Sequence, residues 1–322
     1  MNRAFVWCLL ANVIGGTTFA AMDRAFLSGL PTVTFTFLRT ALSMLLFVAF
    51  AAHRGELAPR FTAREWGLVL LVGVPGFALP LVLGVRGVAL STPGIGSILA
   101  LMEPIAIVPL SILFLGERPR RTRLIGIALG LVGALLVVGS DDLAGSTLAA
   151  PGRRLGNLLL LAQGAMWGIY TVAAKPLTGR HSALSISLWS TAAGCLALAL
   201  VAPLEWRELR PETLDGLARG LGLQEGVPAG DSLASALTRA LPSMLYLGLF
   251  GSFLAVLLWN AGLKGVSAMG MAVFIFVQPA AGLLLNAWLG RQPPAPLDWA
   301  GLALILGAVV LVTRERSTPQ AA

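Results

Sequence analysis

The chain is short of charge. Asp, Glu, Lys and Arg make up 12% of its 322 residues, about half the roughly 25% expected of a soluble domain. It is also short of cysteine and histidine, with two of each. Cys8 and Cys195 both fall within apolar runs, which excludes a disulfide framework and any Cys-based metal set. His53 and His181 fall in loops between runs. Intramembrane proteolysis or metal-dependent lipid chemistry needs a Ser–His pair, paired acids or a ligand cluster inside the spans. None is visible, so an enzyme is not expected, no residue is assigned a catalytic or metal-binding role, and no cofactor is implied. No GxxxxGK[ST] phosphate loop is present either, so direct ATP drive would require a partner.

What the chain has is apolar length. It is 57% hydrophobic, with a mean hydropathy of +0.83. A membrane span needs roughly 20 apolar residues. Ten candidate runs occur, at about 4–22, 31–52, 65–85, 93–115, 123–139, 155–175, 183–203, 241–263, 267–289 and 297–313. The fold class expected is therefore an all-α integral membrane protein. Arg3 followed by an apolar run and Thr18-Phe19-Ala20-Ala21 imitates a cleaved signal peptide. Because the matching place in the second half is also a helix, residues 4–22 are expected to be retained.

The net charge of +8 is scattered through short loops and does not form a nucleic-acid face. With both termini cytoplasmic, Arg3, Arg54, Arg60, Arg64, Arg118, Arg120, Arg121, Arg123, Lys175, Arg180, Lys264, Arg314 and Arg316 lie inside. The short outer loops keep Arg24, Arg86, Arg153, Arg154 and Arg291, which satisfies the positive-inside bias.

An internal repeat is legible. Ser97 to Ala106 (SILALMEPIA) and Ala272 to Ala281 (AVFIFVQPAA) each place a polar residue before a proline in an apolar run. Glu103-Pro104 and Gln278-Pro279 are 175 residues apart, as are Gly126 and Gly301. Five spans per half is an odd number, so the second half must be inverted. Residues 1–140 and 153–316 are the expected repeats, with a long outer loop at 204–240. Inverted repeats point to a transporter with its site between the halves.

Further features extend the pattern: Arg39 in Phe37-Leu38-Arg39-Thr40, the Pro104 helix running to Leu115-Gly116-Glu117-Arg118, and Gly126, Gly130 and Gly133 in the fifth run. Ala165-Met166-Trp167-Gly168, with Lys175, opens the second repeat. In these features, taken in order, the chain resembles the EamA family of the drug/metabolite transporter superfamily. The resemblance implies two inverted five-helix repeats that move small metabolites across a bacterial-type inner membrane. It departs from the family at Ile14-Gly15, where Trp-Gly is common, at Gln292, where a Glu would echo Glu117, and in the length of the 204–240 loop.

Within the spans, polar groups are costly and mark candidate sites. Glu103 lies near the middle of its run and should be protonated, paired or facing a wet cavity. It reads either as a coupling or amine-binding group or as an ion-pair partner for Arg39. Arg39 reads as that partner, as a side chain snorkelling outward, or as a carboxylate-binding group. Gln278 is the inverted counterpart of Glu103 and reads as a pocket group or an interhelical hydrogen bond. Pro104 and Pro279 free the Ala100 and Ile275 carbonyls and mark a broken helix or hinge. Trp167, Tyr170 and Trp189 lie well inside their runs and could stack on a substrate or simply pack. Asn12 and Gln163 are weaker cavity candidates. The expected function is secondary export of small metabolites, amino acids or related compounds, by a monomer or homodimer, with Glu103 the candidate group for any proton coupling. The alternative is a lipid-linked carrier flippase component, favoured by a wide lateral opening.

Overall fold

The computed structural model describes residues 3–26, 30–58, 61–91, 96, 99–138, 153–208, 233–288 and 296–314. Among them the chain forms ten helices and no strand. These are α1 (Arg3–Phe26), α2 (Thr32–Arg54), α3 (Ala63–Ala89), α4 (Met102–Leu115), α5 (Arg121–Val138) and α6 (Arg154–Gly179). The second half continues with α7 (Ala183–Glu208), α8 (Leu233–Gly265), α9 (Ala268–Trp288) and α10 (Pro296–Arg314). Seven of them are long and apolar enough to cross a membrane. Gln292 and residues 209–232 of the long loop lie outside the described residues.

Several ends are fixed by local chemistry. Gly55 and Gly116 stop α2 and α4 in the left-handed region, at φ 68° and 64°, where a Cβ would be strained. Thr62 and Glu65 form a reciprocal capping box at the start of α3. Glu205, within the part of α7 that extends past residue 203, receives the backbone N–H groups of Val33 (2.9 Å) and Thr34 (3.1 Å) at the start of α2. That carboxylate therefore caps a helix N-terminus. At the opposite end, Glu56 just beyond α2 receives the Ser182 hydroxyl ahead of α7. Each of these neighbouring helices is thus anchored by an acid from the far end of the other.

Irregular segments interrupt several of the helices. A π-helical segment interrupts α3 at Val74–Ala78, where Pro75 lacks a backbone donor. A second interrupts α8 at Leu247–Leu254. Gly76 and Gly251, which sit in these segments, are 175 residues apart. α9 breaks at Phe276, between Ile275 and Val277. A matching turn at Ala100–Leu101 precedes α4. The Ala100 carbonyl, which Pro104 cannot bond, accepts instead from the Glu103 N–H at 2.9 Å. The breaks expected from Pro104 and Pro279 are present, three residues upstream of each proline.

Glycine brings backbones into contact, as a membrane bundle requires. A Cβ on Gly133 would lie 2.7 Å from the Gly301 carbonyl, and one on Gly301 would lie 2.6 Å from that of Gly133, which locks α5 to α10. Gly130 leaves room for the Phe276 ring, 2.1 Å from where its Cβ would be. Gly307, read in the sequence as another packing contact, faces open space.

Candidate functional site: a central charged cavity

Seven side chains singled out in the sequence meet around one cavity: Asn12, Arg39, Glu103, Gln163, Trp167, Tyr170 and Gln278. They come from α1, α2, α4, α6 and α9. Leu81 of α3, Ala100 and the α8 residues Leu247, Gly251, Ala255, Val256 and Trp259 complete the wall. The cavity volume is about 110 Å³, room for several water molecules. On α1 the lining runs from Ala11 to Met22. Below Ala11 the helices close on a dry core that includes Cys8, Leu263, Met271 and Phe274, with Phe5 stacked on Phe274 at 5.9 Å. The cavity therefore reaches from mid-bundle toward the Met22 end and stops short of the Lys175 end.

Arg39 does not snorkel. It is 2% exposed, and its Nε and Nη1 are buried with no hydrogen-bond partner. The Arg39–Glu103 ion pair read from the sequence is absent among the described contacts, although both residues line the cavity. Similar depth in two helices does not make a pair, because it leaves open how each side chain is directed around the bundle axis. Glu103 is 6% exposed. A guanidinium and a carboxyl thus face one enclosed space without neutralising each other, which is costly in a bundle core unless water or a ligand bridges them.

The neutral groups are more tightly held. Gln278 donates Nε2–H to Asn12 Oδ1 at 2.9 Å, and Asn12 donates to the Cys8 carbonyl at 2.8 Å. Gln278 therefore both lines the cavity and makes the interhelical bond. A Cβ on Gly16 would lie 2.2 Å from the Gln278 carbonyl, so α1 packs directly against the restart of the broken helix. Gln163 keeps Oε1 unpartnered, and its amide nitrogen would lie 2.5 Å from a Cβ on Gly84.

Trp167 and Tyr170 meet edge to face at 5.7 Å, and Phe77 buttresses Trp167 at 6.1 Å. The Tyr170 hydroxyl accepts from Asn260 at 2.6 Å, and Asn260 also donates to Ser187 at 2.9 Å. Trp189 is outside the cavity and packs on Trp66 at 5.4 Å. Pro104 and Pro279 do not line the cavity; each follows a residue that does.

Trp259, Thr18 and Asn260 escaped the sequence reading. Trp259 Nε1 is buried without a partner. A tryptophan or threonine in an apolar run costs little and gives no signal. Asn260 was visible as a polar residue inside the eighth run, and its position was the available clue.

An all-helical membrane bundle enclosing a charge-bearing central cavity has the architecture of a membrane transporter. The chain belongs to the EamA-like transporter family, whose model matches residues 2–139 and 154–314. Among its relatives is a protein of Streptantibioticus cattleyicolor named "Probable terminal-alkyne amino-acid exporter", 27% identical over 98% of this chain and 97% of the relative. Another is the uncharacterized inner membrane transporter YedA of Escherichia coli strain K12, 25% identical over 94% and 87% of the two chains. A crystal structure at 21% identity superposes with a TM-score of 0.71 over 96% of both chains, which supports the fold. The protein is a multi-pass membrane protein, and these relatives are named as transporters.

Proposed function

We propose that the protein is a secondary exporter of small zwitterionic metabolites, amino acids or close relatives, working by alternating access between repeats 1–140 and 153–316. The observation that carries this is the unpaired coexistence of Arg39 and Glu103 in one cavity. A carboxylate suits the vacant Nε and Nη1 of Arg39, since such charge-assisted bonds are among the strong ones. An ammonium group suits Glu103. A side chain can lie against Trp167, Tyr170 and Trp259. The amino-acid exporter named among the relatives supports the same class.

In this reading Glu103 exchanges a proton for the ammonium group and couples transport to the proton gradient. No other cofactor takes part. Both termini face the cytoplasm of a bacterial-type inner membrane, and the unit is a monomer or homodimer. A cavity walled by α1, α2, α3, α4, α6, α8 and α9 favours a soluble solute over a lipid-linked carrier.

The test is radiolabelled amino-acid uptake into inside-out vesicles, with competitors lacking one charge. Decarboxylated amines and deaminated acids are each expected to compete roughly tenfold less well than the parent zwitterion, about 1.4 kcal/mol per lost contact. Equal competition by the amine alone would remove Arg39 from the site, and no uptake of any amino acid would favour the lipid reading.

A further inference from the structure

We propose that Glu117 and Lys175 form a latch that closes the Lys175 end of the cavity, and that its two charges are not repeated at the symmetry-equivalent positions, so the resting protein favours the state open toward Met22. The latch rests on the alternating-access reading of the same cavity. Glu117, just past the end of α4, is 6% exposed. Its carboxylate accepts the backbone N–H of Ala268 at 2.8 Å and of Met269 at 3.0 Å. Lys175, in the last turn of α6, donates from Nζ to the carbonyls of Leu263 and Val266, each at 2.7 Å. An anion thus holds the N-terminus of α9 and a cation holds the C-terminus of α8, each matching the local helix dipole.

Four helix ends are thereby stitched around the single turn Val266–Ser267. Directly beneath lies the dry plug of Cys8, Met271 and Leu263, all 0% exposed. Beyond the plug comes the cavity floor at Tyr170 and Trp259. The plug lies between the cavity floor and this end.

Symmetry gives the second half of the inference. A Cβ on Gly168 would meet Ala106, and one on Gly16 would meet Ala281. Those neighbours are 175 residues apart and the glycines 152 apart, which fixes the offsets between equivalent positions. At the offset of 175, Glu117 corresponds to the neutral Gln292; at 152, Lys175 corresponds to Asp23. At these two positions neither charge of the latch is repeated with its sign.

The test uses two thiol probes in the full-length protein in oriented vesicles. Cys8, left as the single thiol by Cys195→Ala, reports opening at the Lys175 end. Thr18→Cys, with Cys8→Ala and Cys195→Ala, reports opening at the Met22 end. A membrane-impermeant maleimide is applied from the matching side. Lys175→Met and Glu117→Gln are each expected to raise Cys8 labelling by about tenfold while lowering Thr18→Cys labelling; Lys175→Arg, which keeps the donors, should leave Cys8 protected. Rates unchanged at both probes, or raised together as in a loosened fold, overturn the latch. Labelling needs no substrate, so opposite shifts here alongside absent uptake would sink the substrate reading and leave the latch standing.

Discussion

The two broken helices share a backbone plan and differ in chemistry. Each turns before a polar residue and a proline, at Ala100–Leu101 and at Phe276. In the first, Glu103 faces the cavity with no side-chain hydrogen bond or ion pair among the described residues and lies in the same wall as the vacant nitrogens of Arg39. In the second, Gln278 is tied to Asn12 and clamped against Gly16. One half therefore presents reactive charge and the other presents a fixed wall. A pseudo-symmetric scaffold can carry an asymmetric site, provided that the replaced residue keeps its place in the packing.

That contrast can be broken most severely at its glycines. Gly16→Ala would press a methyl into the Gln278 carbonyl at 2.2 Å, while Gly168→Ala would meet the Ala106 methyl at 2.9 Å. Overpacking against backbone should cost Gly16→Ala about 3 kcal/mol, a fall of roughly 6–12 °C in the thermal midpoint. Gly168→Ala should fall by about half as much. Equal losses in a thermal melt would show that the two interfaces are equally tight.

A functional comparison comes next. Glu103→Gln is expected to reduce uptake driven by a pH gradient by roughly tenfold. Adding Gln278→Glu should not restore it, because position 278 is committed to Asn12. Restoration by the swapped pair in vesicle uptake would make the halves interchangeable and end the asymmetry.

The smallest effect belongs to the bond itself. Asn12→Leu removes the Gln278 partner, and membrane hydrogen bonds of this kind average about 0.6 kcal/mol. The thermal midpoint should move by only a few degrees, with Glu103-dependent coupling retained. Loss of coupling would show that the second half does more than shape the wall.

Much of this was legible in the sequence because the bilayer penalises polarity. Arg39, Glu103, Gln163 and Gln278 stand out in apolar runs for the same reason that they converge, since a shared wet cavity is the cheapest place for them. Pro104 and Pro279 announced the breaks through the carbonyls they free. The pairing of Arg39 with Glu103, one of the alternatives the sequence left open, is not formed among the described contacts, because depth along an axis says nothing about direction around it. The π segments in α3 and α8 were not legible: a bulge needs one extra residue per turn, and apolar composition does not register that. Glu117, Lys175 and Glu205 were read as family pattern, orientation charge and loop, whereas their side chains cap helix ends contributed by distant parts of the chain.

The α5–α10 seam has a mechanical consequence. Neither helix contributes to the cavity wall, yet Gly133 and Gly301 bring one helix from each half into backbone contact. With no side chain between them to compress or change rotamer, this line is a stiff join between the halves, as is the one where Gly73 and Gly194 bring α3 and α7 together. Rocking of one half on the other would then turn about such seams rather than across them. The π segments of α3 and α8, where hydrogen bonds are already out of regular step, give such a motion local compliance.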